Sequence, residues 1–387
     1  MNILVRAFAK DWNDRLFSPG SPNLGARILA EAARPDKTVP GLHECPARAG
    51  SISFEHSLNS RSPSRLNHSM PKTLLEYAEW LAERKLRWPA APKPDPAKAT
   101  PYLKPLTGIK AVTWNAYGTL LRIADGELLF QHPQAIRMEV ALDKTIHEFN
   151  MWNSMTRKPG KPWEYMQQKY LHALDELQMA SSGRKGEPVE VNSAKLWLKL
   201  LGMLDKKDYQ YDTSLYGNMD ELAEKVAYFF HSSLQGVEAA PNALSTLLAL
   251  SSSGFRQALF ADAQPFTLTQ LVMALREQGS VPSPDSLFSS SLHTLSYMEG
   301  MRKPSRTLYL RAMDRFNKLG LEPGQVLYVS TRVRDDLAIA KTLGMRTALY
   351  AAEKLSLQAA PEDMKDPDMK PDRLLTDLAQ VRDLVGA

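Results

Sequence analysis

The sequence predicts an α/β fold, a doubly wound parallel sheet interrupted by a helical insert. Three observations predict it. From about residue 241 to the C-terminus, short apolar runs bounded by turn residues alternate with helix-period segments. One further run of the same kind, "VTWNAYGTLL" at residues 112–121, stands far upstream of the others. Residues 122–240 between them read as one helix after another. A parallel strand needs a crossover to reach its neighbour, so the isolated first strand and the later βα units imply one sheet with helices on both faces.

Residues 1–69 are rich in Ser, Pro, Gly and Arg and lack sustained periodicity, so they are expected to be a mostly disordered extension upstream of a true beginning at Met70. Its acids Asp11, Asp14, Glu31 and Asp36 argue against an organellar transit peptide. In residues 70–107, "MPKTLLEYAEWLAERKLRW" places Leu74, Leu75, Ala78, Leu81 and Leu86 at helical spacing. The Pro-rich "PAAPKPDPAKATPYLKPLTG" that follows is an extended linker. Residues 108–121 begin the α/β core and residues 241–387 complete it. The insert at 122–240 contains "HPQAIRMEVALDKTIHEFNMW", "PWEYMQQKYLHALDELQMA", "NSAKLWLKLLGML" and "NMDELAEKVAYFFHSSL", each with apolar residues three and four apart. The core then runs as helix "PNALSTLLALSSSG", strand "FRQALFAD", helix "PFTLTQLVMALREQG", a short strand near "LFSSS" and helix "PSRTLYLRAMDRFNKLG". It closes with strand "QVLYVS", helix "DDLAIAKTLG", strand "MRTALY" and helix "TDLAQVRDLVGA".

Composition narrows the function classes. The chain has 387 residues, 43% apolar and 24% charged, which suits a globular protein of two or three domains. The single Cys45 makes no intramolecular disulfide, and a cytoplasmic setting is expected. His132, His147, His172 and His231 lack metal-ligand spacing. A formal charge of +5, spread without dense Lys/Arg blocks, predicts no nucleic-acid partner. No apolar run approaches the roughly 20 residues that span a bilayer, so no membrane association is expected.

Ligands of doubly wound sheets bind at the carboxyl ends of the strands. Four such ends line up here: Asn115 in "WNAYGTL", Ala261 and Asp262 in "LFADAQPF", Lys303 in "GMRKPSRTLYL", and Ser330 to Asp336 in "YVSTRVRDDLAIA". Their order and spacing resemble the haloacid dehalogenase superfamily, mostly phosphatases and related phosphoryl-transfer enzymes with dehalogenases as a branch. The resemblance covers roughly residues 108–387 and implies a Rossmannoid core whose helical cap, residues 122–240, closes over the site. In that family the first motif is a strand ending in Asp, two residues, then Gly-Thr-Leu; here Gly118, Thr119 and Leu120 are kept, and Ala116 and Tyr117 match the dehalogenase branch. Lys303 with Pro304 matches the third motif, and Ser330 and Thr331 fall on the Gly-Asp of the fourth.

The chemistry departs from the family's. Its first Asp attacks the substrate as a carboxylate nucleophile, and Asn115 offers only a neutral amide. Tyr117 stands where phosphatases place a second Asp as general acid and base, with an ordinary phenol pKa near 10. Ala261 removes the hydroxyl of the second motif and Thr331 the first acid of the fourth. Lys303 remains as a cation for an anionic ligand, or else as a lysine paired with Asp335 or Asp336. Those two aspartates are the candidate metal ligands, and Asp336 also reads as the N-cap of the next helix. Gly118 is a turn residue, Thr119 a donor to the turn or to a ligand, and Gly118, Thr119, Ala261 and Lys303 form the expected ligand-binding set. The aromatics of the insert, Trp152, Trp163, Tyr165, Tyr170, Trp197, Tyr209, Tyr211 and Tyr216, read as core packing before they read as a stacking surface.

Two functions are expected from this. In the first, the chain lacks the family's nucleophile and is a non-catalytic binder of an anionic small molecule or a protein partner. In the second, it is an active hydrolase, a phosphatase or 2-haloacid dehalogenase, using a noncanonical group such as Asp262. No cofactor is expected in the first case, and Mg²⁺ only in the second.

Overall fold

The computed structural model describes residues 70–155, 160–180 and 187–387. The extension expected at residues 1–69 lies outside the described residues. The strands are β1 (Ala111–Trp114), β2 (Leu121–Arg122), β3 (Glu238–Ala239), β4 (Arg256–Ala261), β5 (Thr294–Leu295), β6 (Val326–Ser330), β7 (Arg346–Tyr350) and β8 (Arg373–Leu375). Six of them form one sheet in the order β5-β4-β1-β6-β7-β8, with every pair parallel. The fold is therefore the doubly wound α/β sheet that the alternation of strand and helix predicts.

Both faces of this sheet are buried, and side chains alternate between them. Val112, Trp114, Leu259, Ala261, Leu327 and Val329 enter one core, covered by the helices Ala243–Ser252, Thr267–Arg276 and Gln380–Val385. Ala111, Ala258, Phe260, Val326 and Tyr328 enter the other, under Arg306–Lys318 and Ala338–Thr342. Two buried faces explain why the strands read as near-continuous apolar runs rather than as alternating ones.

β2 and β3 pair antiparallel in a ribbon beside the main sheet, Leu121 with Ala239 and Arg122 with Glu238. Between them the chain forms the helices Ala135–Glu148, Pro162–Ala180, Ser193–Asp205 and Met219–Leu234 around a separate apolar core. Asn218 and Glu221 close a capping box at the start of the last of these, and Asn192 caps the third. Tyr170, Trp197 and Phe230 pack with ring centroids 5.0 to 5.6 Å apart. Tyr209 and Tyr216 are also buried in this core, while Trp152 is 43% exposed at its edge. The helix Leu74–Glu83 joins it through Tyr77, Ala78 and Leu81. No helix among the described residues is long and apolar enough to cross a membrane.

Two local expectations are corrected. The strand expected near "LFSSS" lies further on, at Thr294–Leu295. Residues Pro284–Leu287 are a helical turn and Ser290–Leu292 a 3₁₀ turn. Leu287 and Phe288 are apolar because they are buried against the sheet, and the only strand-like bond there is Ser289 N–H to Gln257 O at 2.7 Å. The helix expected from Asp335 begins instead with a π-helical turn, Val333–Leu337, and becomes α-helical at Ala338–Thr342. Such a turn fits one extra residue into a helical circuit. It places Asp336 inward, so this aspartate does not cap the helix as its position suggested.

Candidate functional site

The carboxyl ends of β1, β4 and β6 converge, and the residues there make one connected network. β1 delivers Asn115, 4% exposed. After it the chain reverses through Gly118, at φ +83°, where a Cβ would come within 2.9 Å of Thr331 Oγ1. A non-glycine residue would meet both a backbone penalty and a collision there. Asn115 Nδ2 donates to Tyr117 O at 2.8 Å, and its Oδ1 accepts from Lys303 Nζ at 3.0 Å.

The Lys303 side chain is fully buried. Its ammonium has three hydrogens, and three acceptors surround it: Asn115 Oδ1, Tyr328 OH at 2.8 Å and Asp336 Oδ2 at 2.7 Å. Asp336 is equally enclosed. Its Oδ1 accepts from Arg332 Nε (3.0 Å) and Nη2 (2.6 Å), and its Oδ2 from Lys303 and from Ser330 Oγ (2.5 Å), with Tyr328 OH 2.9 Å away. The π-helical turn makes this possible by setting Arg332 and Asp336 four residues apart across one bulged circuit. Asp262 completes the network: Oδ1 accepts the Lys303 backbone N–H at 2.8 Å and Oδ2 accepts Arg332 Nη2 at 3.0 Å. Lys303 and Arg332 are thus matched by Asp336 and Asp262, with Glu127 Oε1 a further 3.6 Å from Arg332 Nη1. Burial raises the carboxyl of Asp336, but the charges of Arg332 and Lys303 outweigh it and hold the group well below the ordinary carboxylate range. For Arg332, burial opposes the charge, and Asp336 and Asp262 more than offset it.

Tyr117 is not placed as an acid or base. Its phenol contacts Gln270 Oε1 at 2.7 Å and Thr267 Oγ1 at 3.0 Å, and burial pushes its pKa upward. Thr119 and Thr331 are buried with hydroxyls that have no partner. Ala261 is a buried strand terminus with no polar side-chain atom. Asp335 accepts the Tyr309 hydroxyl through its backbone oxygen, while its carboxyl stands apart from the network.

Sequence reasoning missed Arg332, Tyr328, Glu190 and Arg302. Arg332 had a usable signal, an Arg four residues ahead of an Asp, but only for a chain already known to be helical there. Glu190 comes from the helical layer, accepts Gln264 Nε2 at 2.9 Å, and faces Asp262 across the cleft. Burial first, and Asp262 second, push its carboxyl up to about 7. The folded form thus binds a proton more tightly than the unfolded chain, and stability falls as pH rises from the ordinary carboxylate value through 7. Replacing Glu190 by Gln should remove up to about 3 kcal/mol of that fall. Denaturant midpoints between pH 4.5 and 8 would then be flatter for Glu190→Gln than for the parent.

The remaining cleft is small. It is lined by Asn115, Tyr117, Glu127, Glu190, Asp262 and Arg302, among others, and offers about 30 Å³, room for a water or two. Arg302 is 3.9 Å from both Glu127 and Asp262. A divalent cation does not fit at Asp336 or Asp262. Mg²⁺ asks for free carboxylate oxygens in octahedral array, and every oxygen of Asp336 and Asp262 already accepts from an ammonium, a guanidinium, a hydroxyl or a backbone N–H. Among the described residues no group of three or more His, Cys, Asp or Glu is arranged to hold a metal.

Comparison with known proteins agrees with the motifs over the C-terminal half of the core. Residues 300–381 match the family model described as HAD-hydrolase-like. The resemblance to the haloacid dehalogenase superfamily is borne out over this segment, which carries Lys303, Arg332 and Asp336. No curated protein matches the chain. Similar solved structures include a 2-haloacid dehalogenase from Pseudomonas syringae pv. Tomato DC3000, 20% identical, covering 71% of this chain and 97% of that one, TM-score 0.44. A predicted phosphoglycolate phosphatase from Haemophilus somnus 129pt is 17% identical over 71% and 97%, TM-score 0.37. The putative HAD-hydrolase YfnB from Bacillus subtilis, bound to magnesium, is 14% identical over 72% and 99%, TM-score 0.37.

Proposed function

We propose that this HAD-like chain is non-catalytic, a binder of a protein partner or a small anion. One observation carries the non-catalytic reading: all three hydrogens of the Lys303 ammonium are taken up inside the protein, one of them by the amide that stands at the nucleophile position. A carboxylate nucleophile needs an exposed anionic oxygen, and a bound phosphate or carboxylate needs free donors. At this site the amide has no charge and the lysine has no donor to spare.

The small-anion reading rests on Arg302. This guanidinium lines the cleft, is 40% exposed and lies 3.9 Å from its acidic neighbours, beyond hydrogen-bond distance. The hydrolase reading rests on Asp262, the carboxylate at the end of β4, with a side chain 15% exposed. Chloride release during incubation with 2-chloropropionate separates the hydrolase reading from both binding readings. A nucleophilic Asp262 displaces chloride and forms an ester that water hydrolyses, so chloride accumulates, and Asp262→Asn abolishes the release. The expected result is no chloride above the Asp262→Asn level from the unmodified protein.

A further inference from the structure

The linker ahead of β1 does more than deliver the chain to the sheet. Its helix Leu74–Glu83 is fastened at its start by a reciprocal cap, Thr73 with Glu76. That helix touches the helical layer and the α/β core at once. Arg84 grips Glu148 of the layer through two bonds of 2.5 and 3.0 Å, and Glu79 pairs with Arg276 of the core at 2.6 Å. The chain then crosses both connections between layer and sheet. A Cβ on Gly236, just before β3, would lie 2.2 Å from the carbonyl carbon of Ala90, so the strap runs in direct contact with that connection. Arg122 of β2 donates to Pro92 O at 2.9 Å. Beyond the crossing, Ala97 N–H bonds Ala352 O at 2.9 Å and Tyr102 N–H bonds Leu374 O of the edge strand β8 at 2.9 Å.

A ribbon as short as β2–β3, two residues a side, is the natural place for a layer to swing on its core. We propose that residues 70–107 are a built-in strap that clamps the helical layer shut over the cleft, so that the cleft opens only when the strap lets go. Rotation of the layer about β2 and β3 must pull the strap helix from the layer at Arg84–Glu148 or from the core at Glu79–Arg276. The contacts of Ala90 with Gly236 and of Pro92 with Arg122 pack the strap against the axis itself. A cleft with room for only a water or two is what such a clamp would enforce. The inference does not depend on whether the cleft catalyses anything.

The test uses two variants of the full chain and hydrogen–deuterium exchange. Gly236→Ala pushes a methyl group into the Ala90 carbonyl. Arg276→Glu sets like charges against Glu79 on the surface, where loss of the fold is not expected, and Glu79→Arg added to it restores the pair with reversed sign. Exchange at the strap amides of Ala97 and Tyr102, at residues 121–123 and 237–239, and at the cleft loop 126–130 should rise together by roughly tenfold or more. Amides of β1 and β6 should keep their protection, and the double charge reversal should return the hinge to the parent rate. Freed strap amides with an unchanged hinge and cleft would overturn the proposal. So would a strap that stays protected in both variants, because these contacts would then not be what holds it.

Discussion

Asp336→Ala is expected to destabilise the protein by about 3–5 kcal/mol, the cost of leaving a buried cation without its partner. Asp336 is the common acceptor of the Lys303 ammonium and the Arg332 guanidinium, and none of the three side chains is more than 5% exposed. Removing it strands two positive charges in a closed space, with Asp262 holding only one edge of Arg332. Equilibrium denaturation at neutral pH would measure the loss. Lys303→Met should cost less alone, and combined with Asp336→Ala the two should fall short of their sum, since they delete the same contact. The pH dependence follows in sign. The Asp336 carboxyl is depressed in the folded state, so the network's contribution is complete above the unfolded value near 4 and is lost as pH falls toward the folded value. A catalytic or metal-binding aspartate, kept free to act, would give a small change instead.

Asn115→Asp is expected to leave turnover at background and to lower stability by about 1–3 kcal/mol at neutral pH. In the family to which the motifs point, this substitution would put back the nucleophile. Here the Asn115 amide hydrogens point at Tyr117 O, 2.8 Å away, and a carboxylate would bring two acceptors face to face. It would also add a negative charge to a network in which Asp336 and Asp262 already match Lys303 and Arg332. The penalty should be larger at a pH where the new carboxyl is ionised. Denaturation at pH 5 and pH 8 tests this: the gap to the parent should be wider at pH 8. On the proposed reading Ala261 and Thr331 still lack the polar groups that the motifs call for in the variant, which is why one residue is not expected to restore turnover.

Much of this was legible before any coordinates. Runs such as "QVLYVS" announce a strand buried on both faces, and "NMDELAEKVAYFF" carries its own capping box, so sheet and helices follow from local chemistry. The structure joins Asn115, Asp262, Lys303 and Asp336 in one network, at the edge where a doubly wound sheet collects its strand ends. What sequence could not give was the register of "STRVRDD". Whether Asp335 or Asp336 faces inward depends on one extra residue held in a π-helical turn, a feature with no propensity signature. Arg332 was overlooked for the same reason. The fastening of the Pro-rich linker was invisible too: it is held by backbone bonds to β8 and by single side chains far apart in sequence, and such contacts leave no period to read. The strand misplaced at "LFSSS" shows the reverse error, apolar residues buried beside a sheet without belonging to it.

We read the strand-end network as a buried ion cluster rather than a working active site. Steady-state turnover by the unmodified protein, assayed on phosphate monoesters and 2-haloacids with and without Mg²⁺, tests it most directly. The expected rates equal those of Asp262→Asn and Lys303→Met, with no effect of Mg²⁺. Turnover well above those two variants, or a rate that rises with Mg²⁺, would contradict it.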